Sequence, residues 1–266
     1  MTSNVIKIKD DLYIPQIMID ISCNQDVNGE HKLLTEILKR HDNGVVFDIG
    51  AKNSKFPSFS NTHKFHLFDP NFIYEPGVDY EGCFINERAL NSTDYTVDSY
   101  CQNNDISDIL FMKIDTDGYD IDVLRGAIDS IKNTKYIQIE YDIFYLIMKQ
   151  NVSDLYQLLE GMNIYKITPF GLKKVDEIVE DNIYSNYLFT RDDTISYDPY
   201  EMNADFFKGV FWESDPRSIE IAYNNQTSPF LTSDTPIDIR MFLMRYFSIY
   251  MPHIVTETIK KHNNSV

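Results

Sequence analysis

The chain has 266 residues, of which 43% are hydrophobic and 24% charged, with a formal net charge of −17. That composition buries a sizeable core, and its acidity argues against nucleic acid or an anionic membrane as partner, leaving a neutral small molecule or glycan as the easier ligand. Three cysteines, Cys23, Cys83 and Cys101, without a CxxC spacing argue against a disulfide framework or a cysteine zinc site, and fit a reducing, cytoplasmic setting. No secretory leader and no apolar stretch of membrane-spanning length is read in the sequence.

In chain order, Val5–Ile8 and Leu12–Met18 read as short strands, with Pro15 marking an edge. Leu33, Leu34, Ile37 and Leu38 fall at helical spacing within His31–Arg40, and Asn43-Gly44 stops that helix. The apolar run VVFDIG, Val45 to Gly50, is the first buried parallel strand. Further strands fit Lys64–Phe68, Cys83–Ile85, Ile109–Ile114, Tyr136–Ile139, Ile164–Thr168 and Tyr184–Thr190. Helices fit Asp98–Asn103, Ile121–Ile131 and Val152–Gly161. Strands alternating with helices predict an α/β, doubly wound and mainly parallel Rossmann-like sheet of seven strands. Residues 1–192 form that domain, with 1–43 as its N-terminal segment. Residues 193–266 form an extension, loop-rich and then helical from Pro236, with an apolar stripe from Ile239 to Tyr250 suited to a lid or a homodimer surface.

Two constellations carry chemistry. Asp48-Ile49-Gly50 closes the first strand, and Asp69 closes the second about 20 residues on, the spacing at which a Rossmann crevice places an acid against the ribose hydroxyls of a nucleoside. The denser one is Lys113-Ile114-Asp115-Thr116-Asp117-Gly118-Tyr119-Asp120. Alternation puts Lys113 and Asp115 on one face at a strand end, and Glu140 ends the following strand in the same way. Clustered carboxylates need a cation, a proton or a substrate hydroxyl to relieve their repulsion, although Asp117 and Asp120 also suit a helix N-terminus. No histidine pair has metal-ligand spacing, and neither a P-loop nor a nucleophile elbow is present.

VVFDIGAKNS, FHLFDP, NERAL, TVDSY and MKIDTDGYDIDVLRGA, followed by IQIEYD, resemble FkbM-type S-adenosylmethionine-dependent methyltransferases in order and spacing, over roughly Gly44 to Thr190. The resemblance implies a cofactor set of Asp48, Gly50, Ala51, Lys52, Asp69, Asn86, Ala89 and Asp115, and O-methylation of a sugar, glycan or other small-molecule hydroxyl. Lys113, Asp115 and Glu140 are the candidates for removing the hydroxyl proton, alone or through a divalent cation held by Asp115 and Glu140. Lys52 stands where the family has Asn and Ser54 where it has Gly. Those two departures, with the short Pro57-interrupted segment after them, favour the rival reading of a non-catalytic binding or scaffold module.

Overall fold

The computed structural model describes residues 5–9, 12–15, 24–178 and 184–200. The helix expected from Pro236 lies outside the described residues. The chain divides into two compact units, Met1–Asn28 with Pro199–Val266, and Gly29–Asp198. In the first, β1 (Val5–Lys9) and β2 (Leu12–Pro15) form an antiparallel pair whose register shifts between Lys7 and Lys9.

The second unit is an α/β sheet built in chain order from α1 (Glu30–Lys39), β3 (Val45–Ile49), β4 (Lys64–Phe68), β5 (Phe84–Asn86), α2 (Val97–Asn103), β6 (Ile109–Ile114), α3 (Asp120–Arg125), β7 (Thr134–Tyr141), α4 (Ile143–Ile147), α5 (Val152–Leu158), β8 (Asn163–Thr168), β9 (Gly171–Val175) and β10 (Ser185–Thr190). Its strands lie in the order β5-β4-β3-β6-β7-β10-β8-β9. The first five are parallel, and β10, β8 and β9 join antiparallel. The sheet therefore has eight strands rather than the seven expected. The additional one is β9, a hairpin partner of β8 with two exposed lysines, Lys173 and Lys174.

Strand alternation sorts the core onto two faces. On one, Leu33, Leu34, Ile37 and Leu38 of α1 pack with Val46, Phe65, Leu67, Phe111, Tyr136 and Leu188. Each such buried side chain is worth about 1.5–3 kcal/mol before entropy is counted. On the other, Phe47, Ile49, Met112, Ile114, Ile137 and Ile139 pack with Val97, Tyr100, Ile121, Leu124, Val152 and Leu155. A reciprocal capping box starts α2, with Thr96 Oγ1 accepting from Ser99 N at 3.0 Å and Ser99 Oγ accepting from Thr96 N at 3.1 Å.

The β3–β4 crossing contains only a 3-10 turn, Phe56–Phe59, with Pro57 in its first turn. The helix expected over Ile121–Ile131 is split: α3 ends at Arg125, with Gly126 as its C-cap, and a 3-10 turn spans Ser130–Asn133. An added Cβ on Gly126 would stand 2.2 Å from the Asn91 carbonyl oxygen, so close backbone packing holds that break.

Candidate active site

After β3 the chain runs out to β4 and β5 on one side, then crosses to β6 and β7 on the other. This reversal is the point at which open α/β sheets bind ligands, outside the carboxyl ends of the strands. Asp48, Gly50, Lys113 and Asp115 meet there. Gly50 has φ +89°, and an added Cβ would lie 1.7 Å from the Asp115 carbonyl oxygen. Asp115 N donates to Ile49 O at 2.9 Å and closes the same seam. Gly50 thus serves the joint between β3 and β6.

Asp48 and Lys113 are register neighbours on the α1 face, 2% and 3% exposed. Lys113 Nζ donates to Asp115 Oδ2 at 2.6 Å. Burial opposes the lysine charge, yet Asp115, Asp48 and Glu30 outweigh it and hold the ammonium above the usual lysine range. A lysine so held keeps its proton. For Asp48, burial raises the carboxyl, with Lys113 and a hydrogen bond from the Ser54 hydroxyl drawing it back. Asp48 Oδ1 has no hydrogen-bond partner among the described residues. Ser54 is buried, and its Oγ also accepts from Phe56 N at 3.2 Å. Its side chain therefore turns into the fold.

Glu140, at the end of β7, completes the cluster. Burial and then the neighbouring Asp115 push its carboxyl well above the usual range, against the pull of Lys113, and a hydrogen bond to Asp115 favours the protonated form. Behind it lies a buried polar network that the sequence reading did not single out. Glu30 accepts from Gln138 Nε2, from Asn186 Nδ2 at 3.0 Å and from Tyr184 Oη at 3.3 Å. The sequence signal for it was Gln138 and Asn186, amides inside otherwise apolar strand runs.

The second cluster lies at the end of β4. Asp69 is half-buried; its Oδ2 accepts from Lys52 N at 3.1 Å and its Oδ1 from Asn71 N at 2.6 Å. A carboxylate offers about four lone-pair sites, so two amides fix its orientation and leave acceptor capacity for a diol. Asp69 N donates to the Asn86 carbonyl at 3.1 Å, tying β5 to this position. The segment after Asp69 folds back over the β3 loop, through Ile73 N to Lys52 O at 2.5 Å and Tyr80 Oη to Ser54 O at 2.7 Å. The two clusters share one field: Asp117 is raised first by burial and then by Asp115, lowered by Lys52, and raised again by Asp69. Of the other expected residues, Ala51 buries its side chain in the α1-face core, Lys52 is exposed, and Ala89 is exposed in the loop beyond β5. Among the described residues no group of three or more His, Cys, Asp or Glu is arranged to hold a metal ion, and no helix is long and apolar enough to cross a membrane.

Residues 16–163 match the family described as the methyltransferase FkbM domain, more than half of the chain. No curated protein matches. Similar solved structures include precorrin-6y C5,15-methyltransferase from Geobacter metallireducens GS-15, at 12% identity over 61% of this chain and 88% of that one, with a TM-score of 0.38. A SAM-dependent methyltransferase from Thermotoga maritima has 12% identity over 61% and 88%, with a TM-score of 0.33. A protein of the NADB-Rossmann superfamily from Streptococcus agalactiae has 11% identity over 86% and 96%, with a TM-score of 0.33.

Proposed function

We propose that this chain, which belongs to the FkbM methyltransferase family, is an S-adenosylmethionine-dependent O-methyltransferase acting on a hydroxyl of a sugar, glycan or other small molecule. The observation that carries this reading is the Lys113–Asp115–Glu140 cluster beside the sheet's reversal point, with Asp117 lying in the field of both Asp115 and Asp69.

The cofactor fits the residues present. Asp69, oriented by two backbone amides, would hold the ribose hydroxyls, and the unpartnered Asp48 Oδ1 offers a buried acceptor to the cationic amino-acid end. Ser54 directs its hydroxyl to Asp48, so its presence in place of glycine does not count towards a degenerate site. When bound, the cofactor supplies an electrophilic methyl group on a sulfonium. Asp115 receives the acceptor hydroxyl as a hydrogen bond, orients its lone pair for in-line attack, and takes up the proton as the oxygen–methyl bond forms. Lys113 holds Asp115 in place, and Glu140, whose carboxyl is raised by burial and by Asp115, supports it from the other side. A neutral polyhydroxylated acceptor suits the site better than a phosphorylated one, because the surrounding charge is negative. With that field, nucleic acid is disfavoured as a substrate, and the unpaired Cys83 and Cys101 are compatible with a cytoplasmic setting.

The test is methyl transfer from tritiated S-adenosylmethionine to panels of neutral sugars and glycans, amines and nucleic acids. The expected result is an alkali-stable label on a neutral polyol, abolished in Asp115→Asn. Label confined to amines or nucleic acid, or full activity in Asp115→Asn, would overturn the reading.

A further inference from the structure

We propose that Asp120 is a positioning residue whose carboxylate holds the Thr116–Tyr119 turn against the crevice, so that taking up a proton on Asp120 loosens the turn and weakens cofactor binding.

Asp120 is 1% exposed. Its Oδ1 accepts both the Thr116 backbone N–H and the Thr116 hydroxyl, each at 3.1 Å. The turn so held is conformationally costly. Asp117 has φ +52° and Gly118 φ +91°, two successive left-handed residues. An added Cβ on Gly118 would meet Met148 Cγ at 2.8 Å and the Phe144 carbonyl oxygen at 2.9 Å, so the turn is seated on α4. At its other end the Asp115 carbonyl abuts Gly50, and Asp117 shares the field of Lys52 and Asp69. The Thr116 hydrogen bonds therefore act on both walls of the crevice.

The groups facing Asp120 are Asp115 at the end of β6 and Tyr145 of α4, and Asp142 and Glu140 act in turn on Tyr145. Tyr145 Oη is buried beside Asp120, with no partner at full hydrogen-bond geometry among the described residues. Burial first, then the Asp115 charge, push the Asp120 carboxyl up to about 7, against the two Thr116 hydrogen bonds. The holding group thus exchanges its proton in the neutral range. The sign is fixed: rising pH ionises Asp120, strengthens its bonds to Thr116 and firms the turn.

The link to cofactor binding rests on the functional reading above; the proton exchange itself does not. The test is the pH dependence of the Thr116 amide resonance in the full-length protein, beside calorimetry with S-adenosylhomocysteine between pH 5.5 and 8.5 on the general scale of linked protonation. Wild type should show a Thr116 midpoint near neutrality and a rise in affinity on the order of tenfold across it, as one linked proton allows. Asp120→Asn, which keeps size and one acceptor oxygen, should abolish both. A flat Thr116 profile in wild type, or the same midpoint in Asp120→Asn, would overturn the proposal, as would pH-independent affinity. Failure of the functional reading looks different: no S-adenosylhomocysteine binding at any pH, with the Thr116 titration intact.

Discussion

Replacing Gly50 with alanine tests the joint on which the site is built. Gly50 has φ +89°, where an L-residue costs roughly 1–2 kcal/mol. The new methyl would begin 1.7 Å from the Asp115 carbonyl oxygen, and ordinary carbon–oxygen contacts start at about 3.3 Å. One side must therefore move by roughly 1.5 Å. The obstacle is backbone, tied by Asp115 N to Ile49 O at 2.9 Å, so β6 cannot yield as a side chain would. Overpacking of this kind adds about 1–3 kcal/mol, giving roughly 2–5 kcal/mol in all and a fall in Tm on the order of 10 °C. Gly77→Ala is the control: its φ is +84°, but no atom lies within 4 Å of the added Cβ, so only the conformational cost applies, a Tm loss of a few degrees. Circular-dichroism melting of the two variants separates the contributions. Equal losses at Gly50 and Gly77 would refute the claim that Gly50 is required by the seam with Asp115.

Lys113→Met leaves Asp48 and Asp115 without their buried cation and should cost about 3–5 kcal/mol in urea unfolding at pH 8, and less at lower pH, where the Asp48 carboxyl, raised by burial, regains its proton; a change below about 0.5 kcal/mol at pH 8 would contradict the burial argument. Because the Asp120 carboxyl is raised to about 7, its contribution to stability is present at low pH and is lost as pH rises from the ordinary carboxylate range through 7, so Asp120→Asn should stabilise the fold by a few kcal/mol at pH 8 and by little at pH 4, read from denaturant curves at the two pH values. Ser54→Gly removes a hydroxyl that faces Asp48, so calorimetry should show no gain in S-adenosylhomocysteine affinity; a severalfold gain would place that side chain in the crevice.

What was legible in the sequence follows from where the signal is local. Ile109–Ile114 and Lys64–Phe68 were read to the residue, because an apolar run ending in Asp marks a buried parallel strand and its boundary. β9 was missed because GLKKV carries exposed lysines and is held by backbone pairing with β8, which leaves no hydrophobic pattern. The apolar stripe continued across Gly126, so only the Asn91 backbone, distant in sequence, ends α3 there. In the site, Asp48, Asp69, Lys113 and Asp115 were visible as strand-end residues. Glu30 was not, because its role depends on Gln138 and Asn186, 108 and 156 residues away. Nor did the reading show that Ser54 turns inward: residue type fixes the size of a side chain but not the face of the loop it takes.

The most direct measurement is calorimetric titration of S-adenosylhomocysteine into the wild-type chain and Asp69→Ala. Wild type should bind one equivalent. Loss of the carboxylate that Lys52 N and Asn71 N orient should weaken binding by ~1–3 kcal/mol, roughly 5–150-fold. No binding by wild type, or equal affinity in Asp69→Ala, would contradict the assignment of this crevice to the cofactor.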